Sequence, residues 1–286
     1  MIIVTKAAFL ETYKRKYRGL AALDKYSWFP LKASPELSWI VACLQSDGHV
    51  SIKHGLIHFT SKYLSEVNNF RGVVEKLFPG INCTIRRSNQ TDTFECLITN
   101  QPFARLMYLC GVTVGNKTIQ SYGIPAWIQN GSRLLQKSFL QGLFECEGYV
   151  KIRRERIVIS FSQAKSIDLK ENLILYLESI KRLLLRFNIK TSNVTKNWIR
   201  PYKNRVCLAL EINGSAKSPV SVLNFLAKID LHGWKKEKLI YGITKIMPQK
   251  APVDLFWESS VVERLSRKQE AGSSNLPWGS KISKIF

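Results

Sequence analysis

Two acids stand 100 residues apart in the same local setting: Asp47 in IVACLQSDGHVSI and Glu147 in LQGLFECEGYVKI. Each closes a run with helical periodicity and is followed by glycine and an alternating apolar pattern. A helix C-terminus carries partial negative charge and disfavours an adjacent carboxylate by roughly 0.3–1 kcal/mol. Two such carboxylates brought together repel, so either one holds a proton or a cation sits between them. Hard oxygen ligands facing a polyanion suit Mg²⁺, which takes one or two carboxylates and keeps water and phosphate oxygens. The composition supplies the polyanion: 43 Lys+Arg against 21 Asp+Glu leave a formal net charge of +22, an electrostatic footprint for nucleic acid. The basic residues interleave with strand-like alternation instead of lining one amphipathic helix, which favours nucleic acid over a membrane surface. One acid before a glycine is common. Its recurrence in the register of a repeat, in so basic a chain, points to metal.

The repeat extends beyond the acids and shows which elements must position them. Ile40, Leu44, Gly48, Val50 and Ile52 match Leu140, Phe144, Gly148, Val150 and Ile152. Downstream, Ile57–Ser61 answers Ile159–Gln163, Val73–Phe78 answers Ile180–Phe187, Leu97–Thr99 answers Leu210–Asn213, and Leu106–Lys117 answers Val222–Lys236. The offset grows through loops, which tolerate insertion where core elements do not. Each unit reads helix, strand, strand, helix, strand, strand, helix. Ser34-Pro35-Glu36 reads as an N-cap, an N1 proline and a first-turn acid. Gly48 and Gly148 are expected to stop the helices in the left-handed conformation. Ala42 and Ser46 on one helix, Gly142 and Cys146 on the other, are small pairs four apart, so the two helices can pack side by side about a pseudo-twofold axis. The expected boundaries are a basic, partly helical N-terminal extension over 1–30, units over 31–138 and 139–250, and a tail over 251–286 that is mostly mobile apart from a short helix near 261–268.

IVACLQSDG and LQGLFECEG resemble the signature of the LAGLIDADG homing endonucleases in their single-chain, two-motif form, over roughly residues 35–245. The resemblance implies an α+β fold of two pseudo-symmetric αββαββα units, each a curved antiparallel sheet covered by helices, meeting along the two motif helices. It implies that Asp47 and Glu147 are the metal-binding and catalytic pair. The activity implied is hydrolysis of phosphodiester bonds on both strands of a long asymmetric DNA target, with Mg²⁺ as cofactor and Mn²⁺ as an acceptable substitute. The sixth motif position is Gln45 in one copy and Glu145 in the other; it is not a ligand in the family. Members often carry a lysine near each active centre. Here GNKTIQSYGIP offers Lys117, and HGWKKEK offers Lys235 and Lys236, of which Lys236 is the choice beside Lys117.

The polar parity of the strands gives the expected DNA-contacting residues. They are Lys53, His58, Thr60 and Arg86 in the first unit, and Lys151, Arg153, Ser160 and Ser162 in the second. Lys196, Arg200, Lys203 and Arg205 surround a segment of the second unit that reads as a hairpin. Because side chains alternate, a one-residue slip would reverse any of these. Two alternatives stay open: an RNA maturase that assists splicing of its host intron, and a non-cutting DNA-binding regulator built on the same fold. Retained acids favour the nuclease. A start at Met1 and an end at Ile285-Phe286, without a terminal His-Asn, disfavour an intein and favour a free-standing or intron-encoded protein. Both motifs in one chain imply a monomer. Six cysteines without a C-x-x-C pair and only four histidines argue against zinc and a disulfide framework, and for a reducing compartment. No stretch reaches the ~18 consecutive apolar residues of a membrane span.

Overall fold

In the computed structural model, which describes residues 1–88 and 91–247, the chain opens with β1 (Ile2–Val4), α1 (Lys6–Glu11), α2 (Lys16–Lys25) and β2 (Leu31–Lys32). The first unit follows: α3 (Pro35–Ser46), β3 (Gly48–Ser51), β4 (Leu56–Ser61), α4 (Leu64–Leu77), β5 (Thr84–Arg87), β6 (Phe94–Thr99), α5 (Gln101–Leu109) and the short α6 (Ala126–Gln129). The second repeats it: α7 (Arg133–Cys146), β7 (Gly148–Arg153), β8 (Arg156–Ser166), α8 (Lys170–Leu185), β9 (Thr195–Arg200), β10 (Arg205–Ser215) and α9 (Val220–Lys228), with α10 (Gly233–Ile246) added. The sheets run β3-β4-β6-β5 and β7-β8-β10-β9, antiparallel throughout and in the same order. This is the expected pair of αββαββα units. Helix α7 starts at Arg133, upstream of the expected boundary between 138 and 139. The expected tail over 251–286 lies outside the described residues.

Alternation along the strands separates a core face from a polar face. In the first sheet Val50 pairs Ile57, Ile57 pairs Ile98 and Phe59 pairs Cys96, all buried against Val67, Phe70 and Val74 of α4 and Phe103, Leu106 and Met107 of α5. In the second, Val150, Ile159, Phe161, Leu210 and Ile212 repeat the arrangement beneath α8 and α9. Each such side chain stabilises the fold by about 1.5–3 kcal/mol through burial. The N-terminal extension is an antiparallel pair, β1 with β2, around two helices, and docks on the first unit: Trp28 packs edge-on against Phe78 and Phe103. All six cysteines are free.

The two motif helices form the seam. Ser34 caps α3 as expected, its Oγ accepting from Leu37 N at 3.1 Å. From Leu37 to Ser46 every residue of α3 is buried, the state of a helix covered on all sides. At the crossing, a Cβ added to Gly142 would lie 2.8 Å from Ala42 Cβ and 3.0 Å from the Trp39 carbonyl oxygen. Two hydrogen bonds lock the register: Ser38 Oγ donates to Leu135 O (2.8 Å), and Trp39 Nε1 donates to Glu145 Oε2 (2.7 Å).

Gly48 and Gly148 depart from expectation. Neither has a positive φ; both begin the strands that leave the helices directly. Glycine is needed because the chain folds tightly back over the last helical turn. A Cβ on Gly48 would meet Leu44 Cα at 2.5 Å, and one on Gly148 would collide with Phe144 O.

The seam generates a stability prediction. Gly142→Ala is expected to cost about 1–3 kcal/mol by overpacking, lowering the urea midpoint with an unchanged slope. An unchanged midpoint would mean that α3 and α7 do not approach as described.

Candidate active site at the paired helix ends

Asp47 and Glu147 are the C-cap residues of α3 and α7, so the seam that joins the helices brings the two acids into one place. The last carbonyls of each helix are satisfied by a lysine from later in the same unit, half-buried in the first (Lys117) and buried in the second (Lys235). Lys117 Nζ donates to Leu44 O (3.3 Å) and to Ser46 O; Lys235 Nζ donates to Phe144 O (3.3 Å), Glu145 O and Cys146 O (2.9 Å). A cation there offsets both the unsatisfied carbonyls and the negative end of the helix dipole.

The electrostatics follow from burial. Desolvation raises the Asp47 carboxyl, opposed by Lys117, Lys235 and a hydrogen bond from the Cys146 thiol across the seam. Desolvation and then repulsion from Asp47 push Glu147 up to about 7, again opposed by the two lysines. Burial lowers both lysine ammoniums, and nearby anionic groups including Asp47 counteract it. The site therefore holds acid oxygens, one from each unit, that are costly to ionise without a further cation. Among the described residues no group of three or more His, Cys, Asp or Glu could form an all-protein metal cage. Two carboxylates do fit Mg²⁺, which draws the rest of its shell from water and phosphate.

Of the two adjacent lysines, the structure places Lys235, and not the expected Lys236, at the end of α7. Helix α10 starts at Gly233, and its phase turns Lys235 inward to 6% exposure. Lys236, one residue and ~100° further round, pairs instead with Asp230 at 3.4 Å. Adjacent lysines cannot be told apart until the phase of their helix is known.

The sixth motif position, set aside at the level of sequence, holds the lysine-bearing segments in place. Gln45 is fully buried and its Nε2 donates to Gly111 O (3.1 Å) and Gly123 O (3.4 Å), clamping both ends of the loop around Lys117. Glu145 accepts from His232 N (3.1 Å), and its Oε1 lies 2.6 Å from His232 Nδ1, at the N-cap of the helix that carries Lys235. A polar residue at the same register of both motif helices was the available signal.

On the first sheet His58, Thr60 and Arg86 share the polar face, while Lys53 is exposed in the β3–β4 turn. Glu95, missed by the sequence reading, stands among them: Arg86 Nε donates to its Oε2 at 2.8 Å and His58 Nε2 lies 3.5 Å from its Oε1. On the second sheet Lys151, Arg153, Ser160 and Ser162 have the polar parity, although Ser160 is only 8% exposed. Arg200 and Arg205 pair on that same parity, with Arg200 over the Trp198 ring at 4.6 Å. Lys203 occupies the turn between β9 and β10, beside the exposed Tyr202. Lys196 differs from expectation. A register shift makes it the partner of Leu208, on the core parity, so the slip that alternation makes possible occurs here.

Residues 135–229 match the family model described as a LAGLIDADG-like domain. The match lies within the second unit, and the first repeats that unit's architecture, so the two halves share a LAGLIDADG-like fold. Similar proteins include the tRNA-splicing ligase RtcB of Methanopyrus kandleri, 30% identical over 245 residues, 78% of this chain and 24% of that protein. RtcB of Methanocaldococcus jannaschii is 33% identical over 148 residues, covering 51% of this chain and 14% of that protein. The replication factor C small subunit of M. jannaschii is 29% identical over 200 residues, 64% of this chain and 10% of that protein. The chain thus spans less than a quarter of these relatives. Among solved structures, I-DmoI in complex with DNA and Ca aligns with a TM-score of 0.48 and 12% identity, covering 69% of this chain and 92% of that one. Full-length WhiA of Thermatoga maritima aligns at 0.47 and 16% identity, covering 84% and 70%.

A raised carboxyl predicts its own pH dependence. Because folding lifts Glu147 above its ordinary value, the folded state binds that proton more tightly, and stability falls as pH rises towards about 7. In metal-free urea unfolding, Glu147→Gln is expected to remove most of that fall, on the order of 2–3 kcal/mol between about pH 4.5 and 8. Parallel pH profiles for the two proteins would contradict the buried-pair assignment.

Proposed function

We propose that this protein is a divalent-metal-dependent endonuclease that cuts both strands of duplex DNA. The observation that carries the reading is the pairing of Asp47 and Glu147, one per unit, in a desolvated site at the ends of two packed helices. Each unit also brings a lysine to its own helix end and a sheet whose free face is basic and polar. A metal-free binding function leaves the acid pair as an electrostatic cost that the two lysines only partly offset, which weighs against a maturase or a regulator. The similar segments make up a minor part of relatives with two different names, a ligase and a replication factor subunit, and this supports a module with an activity of its own.

Asp47 and Glu147 would hold Mg²⁺, or Mn²⁺ in its place. Such an ion supplies Lewis-acid polarisation of a phosphoryl oxygen and a more acidic bound water. The chain's own residues do the rest. The basic strand faces position the phosphate backbone, and polar side chains of the same parity read base edges in the major groove. Lys117 and Lys235 add fixed positive charge beside the acids, where negative charge accumulates during hydrolysis. Pseudo-symmetric units give one half-site per strand. Unlike side chains on the two faces give an asymmetric target, and one chain holding both halves works as a monomer. An intron-encoded origin accords with this activity.

A library of randomised long duplexes incubated with the protein in Mg²⁺ is expected to yield double-strand breaks at one sequence, and none in EDTA. Asp47→Asn should bind the recovered duplex with wild-type affinity and leave it intact. Tight binding by the wild type without cutting in Mg²⁺ or Mn²⁺ would overturn the nuclease reading. On the same duplex, Lys235→Met should slow cleavage by about 10²–10³-fold, whereas Lys236→Met should stay within a few-fold of wild type. The reverse ranking would restore the lysine expected from sequence.

A further inference from the structure

Lys165 is fully buried, and it is neither one of the acids nor one of the two helix-end lysines. It lies near the end of β8 in the second unit, on the core parity opposite Val206. Its ammonium does not turn back into its own unit. It donates to Gln120 O and, at 3.4 Å, to Lys117 O, and sits 3.6 Å from the centroid of the Tyr122 ring. Both carbonyls and the ring belong to the first unit, on the turn that carries Lys117. A cation held over an aromatic face is attracted more strongly when water is excluded, as it is here. Burial lowers this ammonium to about 8, which leaves it charged at neutral pH.

Two more second-unit residues grip the same segment. Asn172 of α8 accepts from Tyr122 N (3.2 Å) and donates to Tyr122 O (3.1 Å), while Tyr176 meets the Tyr122 ring edge-on at 5.1 Å. The strand register makes this crossing part of the duplication. Phe59 pairs Gly48 and Phe161 pairs Gly148. Tyr63 and Lys165 each stand four residues past those phenylalanines, Tyr63 just beyond β4 at the N-cap of α4 and Lys165 still within β8. Tyr63 likewise reaches the other unit's lysine segment, with its ring 5.7 Å from that of Trp234, the neighbour of Lys235.

We infer that Lys165 is a positioning residue for one half of the site: from the second unit it fixes the turn that seats Lys117 against the end of the first unit's motif helix. The inference rests on the nuclease reading for its effect on cleavage, but not for its effect on the turn. Losing the tie should loosen residues 117–122 and disable only the half-site that Lys117 serves. The Lys235 half, held through Glu145 and His232, should keep working.

The test compares wild type with Lys165→Met, and with Tyr122→Leu, which removes the ring and spares the buried lysine. Amide hydrogen exchange of the free protein is expected to accelerate at residues 117–122 in both variants, with α3 and α7 unchanged. Unchanged exchange at 117–122 would overturn the inference whether or not the protein cuts DNA. On a cleaved duplex labelled on each strand, both variants should cut one strand roughly 10–100-fold more slowly and the other at the wild-type rate, so that nicked duplex accumulates at unchanged binding affinity. Equal slowing of both strands would reduce Lys165 to a general stabiliser of the fold and overturn the positioning role. Failure of the wild type to cut any duplex would count against the nuclease reading alone, and the exchange result would still decide the tie.

Discussion

The approach of α3 to α7 is the contact on which the other features depend. Gly142 against Ala42 removes side-chain bulk where the helices cross, and the hydrogen bonds from Ser38 and Trp39 set the register. Once the register is set, the positions of Asp47 and Glu147 are no longer adjustable: each is the cap of its helix, and each helix runs straight into a strand. The backbone so brings together charges that electrostatics would separate. Lysines at the helix ends offset the carbonyl dipoles, and the acids remain raised above their ordinary range.

A division of labour follows within each unit. The motif helix supplies the acid; the segment after the last helix of the αββαββα set supplies the lysine; the sixth motif residue ties the two together. The chemistry of that tie differs between the units. Gln45 binds backbone carbonyls from the interior, whereas Glu145 binds His232 near the surface and also takes the Trp39 hydrogen bond across the seam. The polar strand faces differ as well, with a His58–Glu95–Arg86 cluster on one and the Trp198–Arg200 stack on the other. A duplicated fold thus presents two unlike surfaces to a partner.

Much of this is legible in the sequence because it is written in period and register. The repeat, the change from helical to alternating pattern after each acid, the Ser34 cap and the small pairs at the seam all depend on local spacing. What is not legible depends on three-dimensional phase. The choice between Lys235 and Lys236 needs the start of α10. The parity of Lys196 needs the register shift in β9. Gly48 and Gly148 read locally as left-handed stops, but their role is a close backbone approach that no turn signal encodes. Gln45, Glu145 and Lys165 escape because their hydrogen-bond partners lie between 45 and 106 residues away in sequence, where no local pattern reaches.

The most direct test of the shared, desolvated acid pair is a carboxyl ¹³C NMR titration of the metal-free protein, with Glu147 assigned by its loss in Glu147→Gln. Glu147 is expected to titrate near 7 in the wild type. In Asp47→Asn its midpoint should fall, while staying above the ordinary carboxylate value because burial is the larger cause. A wild-type midpoint in the ordinary range, or one that Asp47→Asn leaves unmoved, would contradict the account.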